Sequence, residues 1–245
     1  MGLIKNPAEI AAIRQASRIA QQVLEEVGRQ LRPGMTTLEV DEFAAETIRS
    51  HGAKSAFLGY RGFPRHTCIS VNEEVVHGVA GDRRIQFGDI VSVDVGVTYR
   101  GFIGDTAATY PVGGCEPGAQ RLLEVTQDSL MAGIRQARAG QPVEAISRAV
   151  QDVVESAGFS VVREFVGHGV GRTVHEEPQV PNFVEPGRRS PRLRAGMTIA
   201  IEPMVNAGRR DVRVLNDGWT VVTADGKLSA HFEHTVLVTD GEPEI

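Results

Sequence analysis

Apolar residues recur at Ile10, Ile13, Ala20, Leu24, Val27 and Leu31, the spacing of one helical face, until Arg32-Pro33-Gly34 ends the pattern. Asn6-Pro7-Ala8-Glu9 supplies its start, with Asn as N-cap, Pro at the first helical position and Glu at the third, reaching back to the cap. A second helix is predicted to open at Thr36 with Glu39 three residues on, to carry Val40, Phe43, Ala44 and Ile48 on one face, and to close at His51-Gly52. The arrangement returns from Pro117 to Arg138 and from Pro142 to Ala157, punctuated by Gly140 and Gly158.

The return is more than a shared amphipathic pattern. At a constant offset of 106, Arg29, Gln30, Arg32, Gly34, Ser50 and Gly52 meet Arg135, Gln136, Arg138, Gly140, Ser156 and Gly158. At an offset of 108, the run Gly88 to Asp94 parallels Gly196 to Glu202: in each a Gly opens an alternating strand that ends on a carboxylate. A looser third parallel sets Asp105-Thr106 against Glu233-His234-Thr235. The pattern predicts a duplicated α+β unit, two helices followed by antiparallel strands, with the two sheets joined face to face about an approximate two-fold axis. One domain is expected, residues 1–245, with halves of about 1–113 and 114–245.

Period two along Ile90 to Tyr99 puts Val91, Val93, Val95, Val97 and Tyr99 on one face and Ser92, Asp94, Gly96 and Thr98 on the other. The same count buries Ile199 and Ile201 and turns Thr198, Ala200 and Glu202 the opposite way. Around Glu233 it groups Ser229, His231, Glu233 and Thr235. Any one of these acids alone reads as a solvated strand residue. If the two-fold axis brings the polar faces together, four carboxylates meet, and such a group needs protons or cations to exist. Two divalent cations would cancel four carboxylates, which favours a two-metal site.

Composition narrows the partners. The 245 residues are 41% hydrophobic and 23% charged with a net charge of -5, values of a globular chain with a sizeable core. Lys and Arg are scattered, so no footprint for nucleic acid or an anionic membrane is read, and the apolar runs are too short for a membrane span. The start Met1-Gly2-Leu3-Ile4-Lys5 lacks a signal-peptide layout, and the two thiols, Cys68 and Cys115, suit a reducing compartment, so a cytoplasmic protein is expected.

Apart from the helix end at His51-Gly52, histidine sits beside glycine in His77-Gly78 and in Gly167-His168-Gly169-Val170-Gly171-Arg172-Thr173-Val174-His175. Glycine there lets the backbone approach a ligand or adopt positive φ. Together with Gly62-Phe63-Pro64, Cys68 to Glu73, Ile201-Glu202-Pro203 and Glu233-His234-Thr235, these segments resemble the type I methionine aminopeptidases, short members of the pita-bread (creatinase/aminopeptidase) metallopeptidase superfamily. The resemblance runs from the first helix to Val238, with spacings of 11 between the Asp residues and 31 between the Glu residues.

That resemblance implies a pita-bread fold and a metal-dependent aminopeptidase that removes the initiator methionine from nascent polypeptides when the second residue is small. It implies that Asp94, Asp105, His168, Glu202 and Glu233 hold two divalent metals, Co(II), Mn(II), Fe(II) or Zn(II), with Asp105 and Glu233 bridging. Glu202 would move the attacking water's proton, and His77 and His175 would contact the substrate. Tyr60, Phe63, Cys68 and Trp219 would line the methionine pocket, and Asn72, Glu74 and Ser229 a monovalent-cation site. Met1-Gly2 would itself fit such a substrate. Arg61, Val174 and His231 depart from the common type I pattern, where His, an aromatic residue and Gln are frequent.

A monomer is expected, with ribosome docking left open. Two rivals stand beside this reading. A Xaa-Pro peptidase shares the five ligands but normally carries a large N-terminal domain ahead of them. A catalytically inactive pita-bread module that binds partners shares the fold but generally loses several ligands.

Overall fold

A computed structural model of the chain describes residues 3–187 and 190–245. Met1-Gly2, the dipeptide with substrate-like character, lies outside them. Among the described residues, helices α1 (Pro7–Gln30) and α2 (Thr37–Ser50) precede short strands β1 (Lys54–Ser55), β2 (Cys68–Val71) and β3 (Glu74–Val76) and a long hairpin of β4 (Ile90–Tyr99) and β5 (Phe102–Pro111). Helices α3 (Pro117–Ile134) and α4 (Val143–Ser156) then precede β6 (Ser160–Val161), β7 (Gly167–Gly169), β8 (Glu176–Val180), β9 (Thr198–Ile201) and β10 (Met204–Asn206). The chain ends with β11 (Val212–Val214), β12 (Val221–Thr223), β13 (Ser229–His231) and β14 (Glu233–Leu237).

Both predicted capping boxes form. Asn6 Oδ1 accepts from the N–H groups of Ala8 and Glu9 while Glu9 Oε2 accepts from that of Asn6, and Thr36 and Glu39 make the corresponding pair. α3 stops at Ile134, short of the expected Arg138. Gln136 and Ala137 donate three residues back, to Gly133 and Ile134, and this tighter turn frees Ala139 N–H to reach Thr239 O at 2.9 Å. Matched hydrogen bonds follow both helix pairs. Gly34 N–H donates to Ile85 O and Gly140 N–H to Leu193 O, while the guanidinium groups of Arg84 and Arg192 donate to the carbonyls of Gly34 and Gly140 at 2.8 and 2.6 Å.

The sheets do not stack face to face as expected from the sequence; they join edge to edge. β5 pairs antiparallel with β14, so one sheet runs β1-β4-β5-β14-β9-β7-β8, with β2 also on β4. Stacking would leave the outer edges of β5 and β14 as open ladders, whereas the join satisfies them. Thr106 Oγ1 donates to Glu233 O and Thr235 Oγ1 to Asp105 O across the seam, both at 2.8 Å. Val95, Thr106, His234 and Ile201 are cross-strand neighbours and so share one face. On that face α1 and α2 pack over Val91, Val93, Val95 and Val97, and α3 and α4 over Ile199, Ile201 and Val236. The opposite face carries none of α1 to α4 and holds the acids.

The run 229–235, expected to be one strand of single parity, is broken at Phe232. Pro203 has no N–H with which to continue the β9 ladder, so β9 ends and the chain resumes as β10 in a separate sheet with β13 and β6. Phe232 N–H donates to Pro203 O at 3.4 Å, so both strands turn the same corner. Glu202 and Glu233 stand at that corner.

Candidate active site

Two cross-strand rows build the site. The first runs Gly96, Asp105, Thr235, Ala200, His168, each opposite the next on neighbouring strands. The second runs Cys68, Asp94, Ala107, Glu233, with Glu202 one step beyond the Ile201–His234 pair. Small residues therefore alternate with the acids and the imidazole, leaving each functional group space in front of the sheet. Asp94, Asp105, His168, Glu202 and Glu233 converge on one cavity of about 220 Å³.

One ligand atom each from Asp105, His168 and Glu233 lies within 4.8 Å of the others, and His168 Nε2 is 3.3 Å from Glu202 Oε1. His168 Nδ1 faces the Gly169 carbonyl at 2.9 Å, which requires the proton on Nδ1 and turns the Nε2 lone pair toward the cluster. Asp94 Oδ1, Asp105 Oδ1 and Glu233 Oε1 are buried without a hydrogen-bond partner. Burial first, then the neighbouring carboxylates, pushes all four acids well above their usual range, Asp94 through Glu202, Asp105 through Asp94, Glu202 through Asp105, and Glu233 through all three. Burial, with His175 adding to it, holds His168 down to about 3, so its ring is neutral. Neutral imidazole, orphaned carboxylate oxygens and mutual repulsion are the donor set of a divalent-cation site.

The sequence profile of metallopeptidase family M24 matches residues 11–240. The chain belongs to that family. It is 49% identical to methionine aminopeptidase 1 of Bacillus subtilis, over 98% of this chain and 96% of that protein. The structure of methionine aminopeptidase from Thermotoga maritima superposes with a TM-score of 0.96 at 46% identity, over 99% of this chain and 97% of that one. An X-Pro aminopeptidase from the same organism shares the fold alone, with a TM-score of 0.79 at 22% identity, over 99% of this chain and 61% of that one.

In this M24 chain the imidazoles of His77 and His175 line the same cavity, with Tyr60, Cys68 and Trp219. Tyr60 Oη and His175 Nδ1 are hydrogen-bonded at 2.9 Å, and the rings of His175 and His168 are 4.1 Å apart. Burial, with His175 adding to it, brings His77 down to about 4, while burial and Arg61 lower His175. His77 takes φ +59, a left-handed conformation that a non-glycine residue keeps only when its surroundings impose it. Phe63 does not line the cavity: it is buried behind Trp219, edge to face at 5.1 Å, and sets that ring's position. Cys68 is buried with its thiol pushed well up by burial and then Asp94, which suits a wall rather than a nucleophile.

Sequence reasoning missed Phe57, Phe165 and Met204 as lining residues. It also missed the place of His231, although its departure from Gln was a signal. Asp94 opposes Ala107 and Gly96 opposes Asp105; 108 residues on, Glu202 adjoins Glu233 and Met204 opposes His231. By register His231, not Glu233, is the counterpart of Asp105, which corrects the looser third parallel. His231 is buried, its Nε2 lacks a partner and lies 3.7 Å from Glu202 Oε2.

The glycines beside His77 and His168 serve packing, not left-handed backbone. Side chains at Gly167 and Gly169 would strike the carbonyls of Ala200 and Glu177, and one at Gly78 that of Ile69. Asn72 and Ser229 adjoin one another, Ser229 N–H donating to Asn72 O at 2.9 Å. Glu74 accepts from Val71 N–H and from Arg83, both at 2.7 Å, bracing the same junction.

Proposed function

We propose that this M24 chain is a type I methionine aminopeptidase, a hydrolase that removes the initiator methionine from nascent polypeptides whose second residue is small. The observation that carries the reading is the convergence of four buried acids and a neutral imidazole, with orphaned oxygens, on a cavity walled at one end by apolar and aromatic side chains. Relatives bearing the name methionine aminopeptidase over nearly the full chain support it. Among the described residues no helix is long and apolar enough to cross a membrane, and the reading is of a cytoplasmic monomer that meets nascent chains at or near the ribosome. Residues 1–245 would act as one domain whose halves, about 1–113 and 114–245, each bring part of the site.

In this reading Asp94, Asp105, His168, Glu202 and Glu233 would hold two divalent cations. Their oxygen-rich set suits Mn(II), Fe(II), Co(II) or Zn(II). When bound, such cations supply Lewis acidity, lowering the pKa of water and polarising a carbonyl. Glu202, partly open to the cavity, takes the proton of the attacking water and delivers it to the leaving amine. His77 and His175, neutral at pH 7, donate hydrogen bonds to the oxygen on which charge develops. Tyr60 fixes the ring of His175 through their hydrogen bond.

Methionine selectivity follows from the wall. Phe57, Tyr60, Cys68 and Trp219 accept an unbranched thioether, and sulfur against an aromatic edge adds roughly 0.3 to 1.5 kcal/mol. Arg61 and Val174 line the cavity too and shape its mouth in this chain's own way. A monovalent cation on the carbonyls of Asn72, Glu74 and Ser229 would brace the junction beneath the site.

The test is turnover of a Met-Ala-Ser peptide and an Ala-Pro peptide by EDTA-stripped protein, before and after titration with Co(II), Mn(II) or Fe(II), with Glu202→Ala as control. Metal-dependent release of methionine alone, absent in the control, is expected. Cleavage of the Pro peptide would move the chain to the Xaa-Pro branch, and silence with both despite bound metal would make it a binding module.

A further inference from the structure

The segment 171–175 that carries His175 is held from outside the cavity by the start of the chain. Lys5 Nζ pairs with Glu176 Oε2 at 2.7 Å, the two side chains being only 6% and 13% exposed. The other oxygen, Glu176 Oε1, accepts from the backbone N–H groups of Arg172 and Thr173 at 2.8 and 3.2 Å, so it pins the loop itself. Lys5 is in turn fixed. Its N–H donates to Gly196 O at 2.8 Å, and it adjoins Asn6, the cap of α1.

Gly171 records the arrangement in the sequence. A Cβ there would stand 2.6 Å from Lys5 Cε and 2.9 and 3.0 Å from the Glu176 oxygens, so a side chain would have to displace the ion pair from its present position. Gly171 O also accepts from Ile103 N–H at 2.7 Å, tying the loop to β5, the strand of Asp105. Thr173, one of the pinned residues, also donates from Oγ1 to His175 O at 3.2 Å, so the tether reaches the backbone of the residue that carries the imidazole.

We propose that Lys5 is a positioning residue for the reaction: through Glu176 it latches the loop 171–175 and sets where His175 stands in the cavity. The proposal rests on the reading of His175 as a group that contacts substrate. A misplaced reacting group loses rate steeply, whereas a purely structural ion pair affects every variant alike.

The experiment is a double-mutant cycle on the metal-loaded enzyme with a Met-Ala-Ser peptide. Lys5→Met is expected to lower kcat/KM about tenfold, mostly through kcat, in the native background and by no more than about twofold in a His175→Ala background. Lys5→Arg restores most of the loss. Glu176→Gln keeps an acceptor for Arg172 and Thr173 but removes the charge, and is expected to follow Lys5→Met; it runs the same cycle should Lys5→Met not fold. Equal losses in both backgrounds would overturn the latch. A His175→Ala enzyme as fast as the native one would instead overturn the role of His175, and the latch with it.

Discussion

The strand pair of the first half and that of the second share a register but not a shape. β4 and β5 run unbroken for ten residues each, while the equivalent stretch after residue 198 is split at Pro203 and Phe232 into β9 with β10 and β14 with β13. The straight pair presents Asp94 and Asp105, short side chains that need no reach. At the corner, where the backbone turns away, the acids are Glu202 and Glu233, each one methylene longer. The position that matches Asp105 holds His231, and the position that matches Glu233 holds Ala107. A symmetric scaffold thus carries an asymmetric set of side chains, four acids and one imidazole around one cavity rather than two copies of one half.

The largest expected effect separates the matched pair Asp94 and Glu202. Glu202→Gln keeps the shape but removes both the proposed proton acceptor and a charged donor to metal, so kcat should fall by roughly 10² to 10⁴ and stay low at saturating metal. Asp94→Asn should act through metal affinity alone, with activity largely restored at high metal concentration. Steady-state kinetics beside calorimetric metal titration checks both. If excess metal rescued both variants equally, the division of labour between the halves would be wrong.

Next in size is the seam itself, where acids from both halves face each other. Their carboxyls are pushed up, so the stability they contribute to metal-free protein is present below the ordinary carboxylate range and is lost as pH rises through the raised values. Bound cations act in the opposite sense, since they need the ionised forms. At a hundredfold excess over Kd, metal should add about 2.7 kcal/mol near pH 7.5 and far less at pH 5. Differential scanning calorimetry of loaded and stripped protein should show a Tm gap that widens with pH; a gap independent of pH would mean the acids are not the ligands.

Much of this was legible beforehand. The caps at Asn6 and Thr36, the parity that separates Val93 from Asp94, and the parallel of Asp94 with Glu202 all follow from local chemistry and period, which a single sequence carries. The edge-to-edge seam did not follow, because β5 reads Phe-Ile-Gly-Asp-Thr-Ala-Ala-Thr-Tyr-Pro, small on both faces, and gives no alternation from which to infer a partner. The corner was hidden for a related reason. Pro203 signals that β9 ends, but only the partner strand shows that Phe232 must break with it. Phe57 reaches the cavity through tertiary packing alone, whereas Phe165 and Met204 stand close to His168 and Glu202 in the sequence but carry no chemistry that would single them out.

A smaller difference separates the helix faces. Gly104 lets α1 approach β5: a Cβ there would run into the backbone of Ala16 and Ser17. Its register counterpart is Ala230, buried under α3 with room for its methyl. Gly104→Ala should therefore destabilise by about 1 to 3 kcal/mol, because neither backbone can yield. Ala230→Gly should cost only about 1 kcal/mol, from backbone entropy and a lost methyl. Urea unfolding of the two variants measures both, and equal costs would show that the helices sit equally close on the two sides.

The smallest effect lies at the helix starts. α1 and α2 each begin with a complete capping box, whereas at α3 and α4 the cap residues Glu116 and Pro142 make no side-chain cap themselves, α4 taking instead a hydrogen bond from Glu144 N–H to Ser190 Oγ. Thr36→Ala removes an acceptor from the Glu39 N–H and should cost about 1 kcal/mol. Glu116 already has the extended conformation of a cap, with φ -63 and ψ 150, and Pro117 follows at the first helical position. Glu116→Ser would supply the missing hydroxyl to the first-turn N–H groups while giving up a carboxylate that already favours that helix end. The net gain should be about 0.5 kcal/mol, read as a small rise in the urea midpoint at constant m. A rise in the second half, set against the loss from Thr36→Ala in the first, would show that the asymmetry of the caps is a difference in side chains alone; no rise would mean that Pro117 and the charge of Glu116 already satisfy that end.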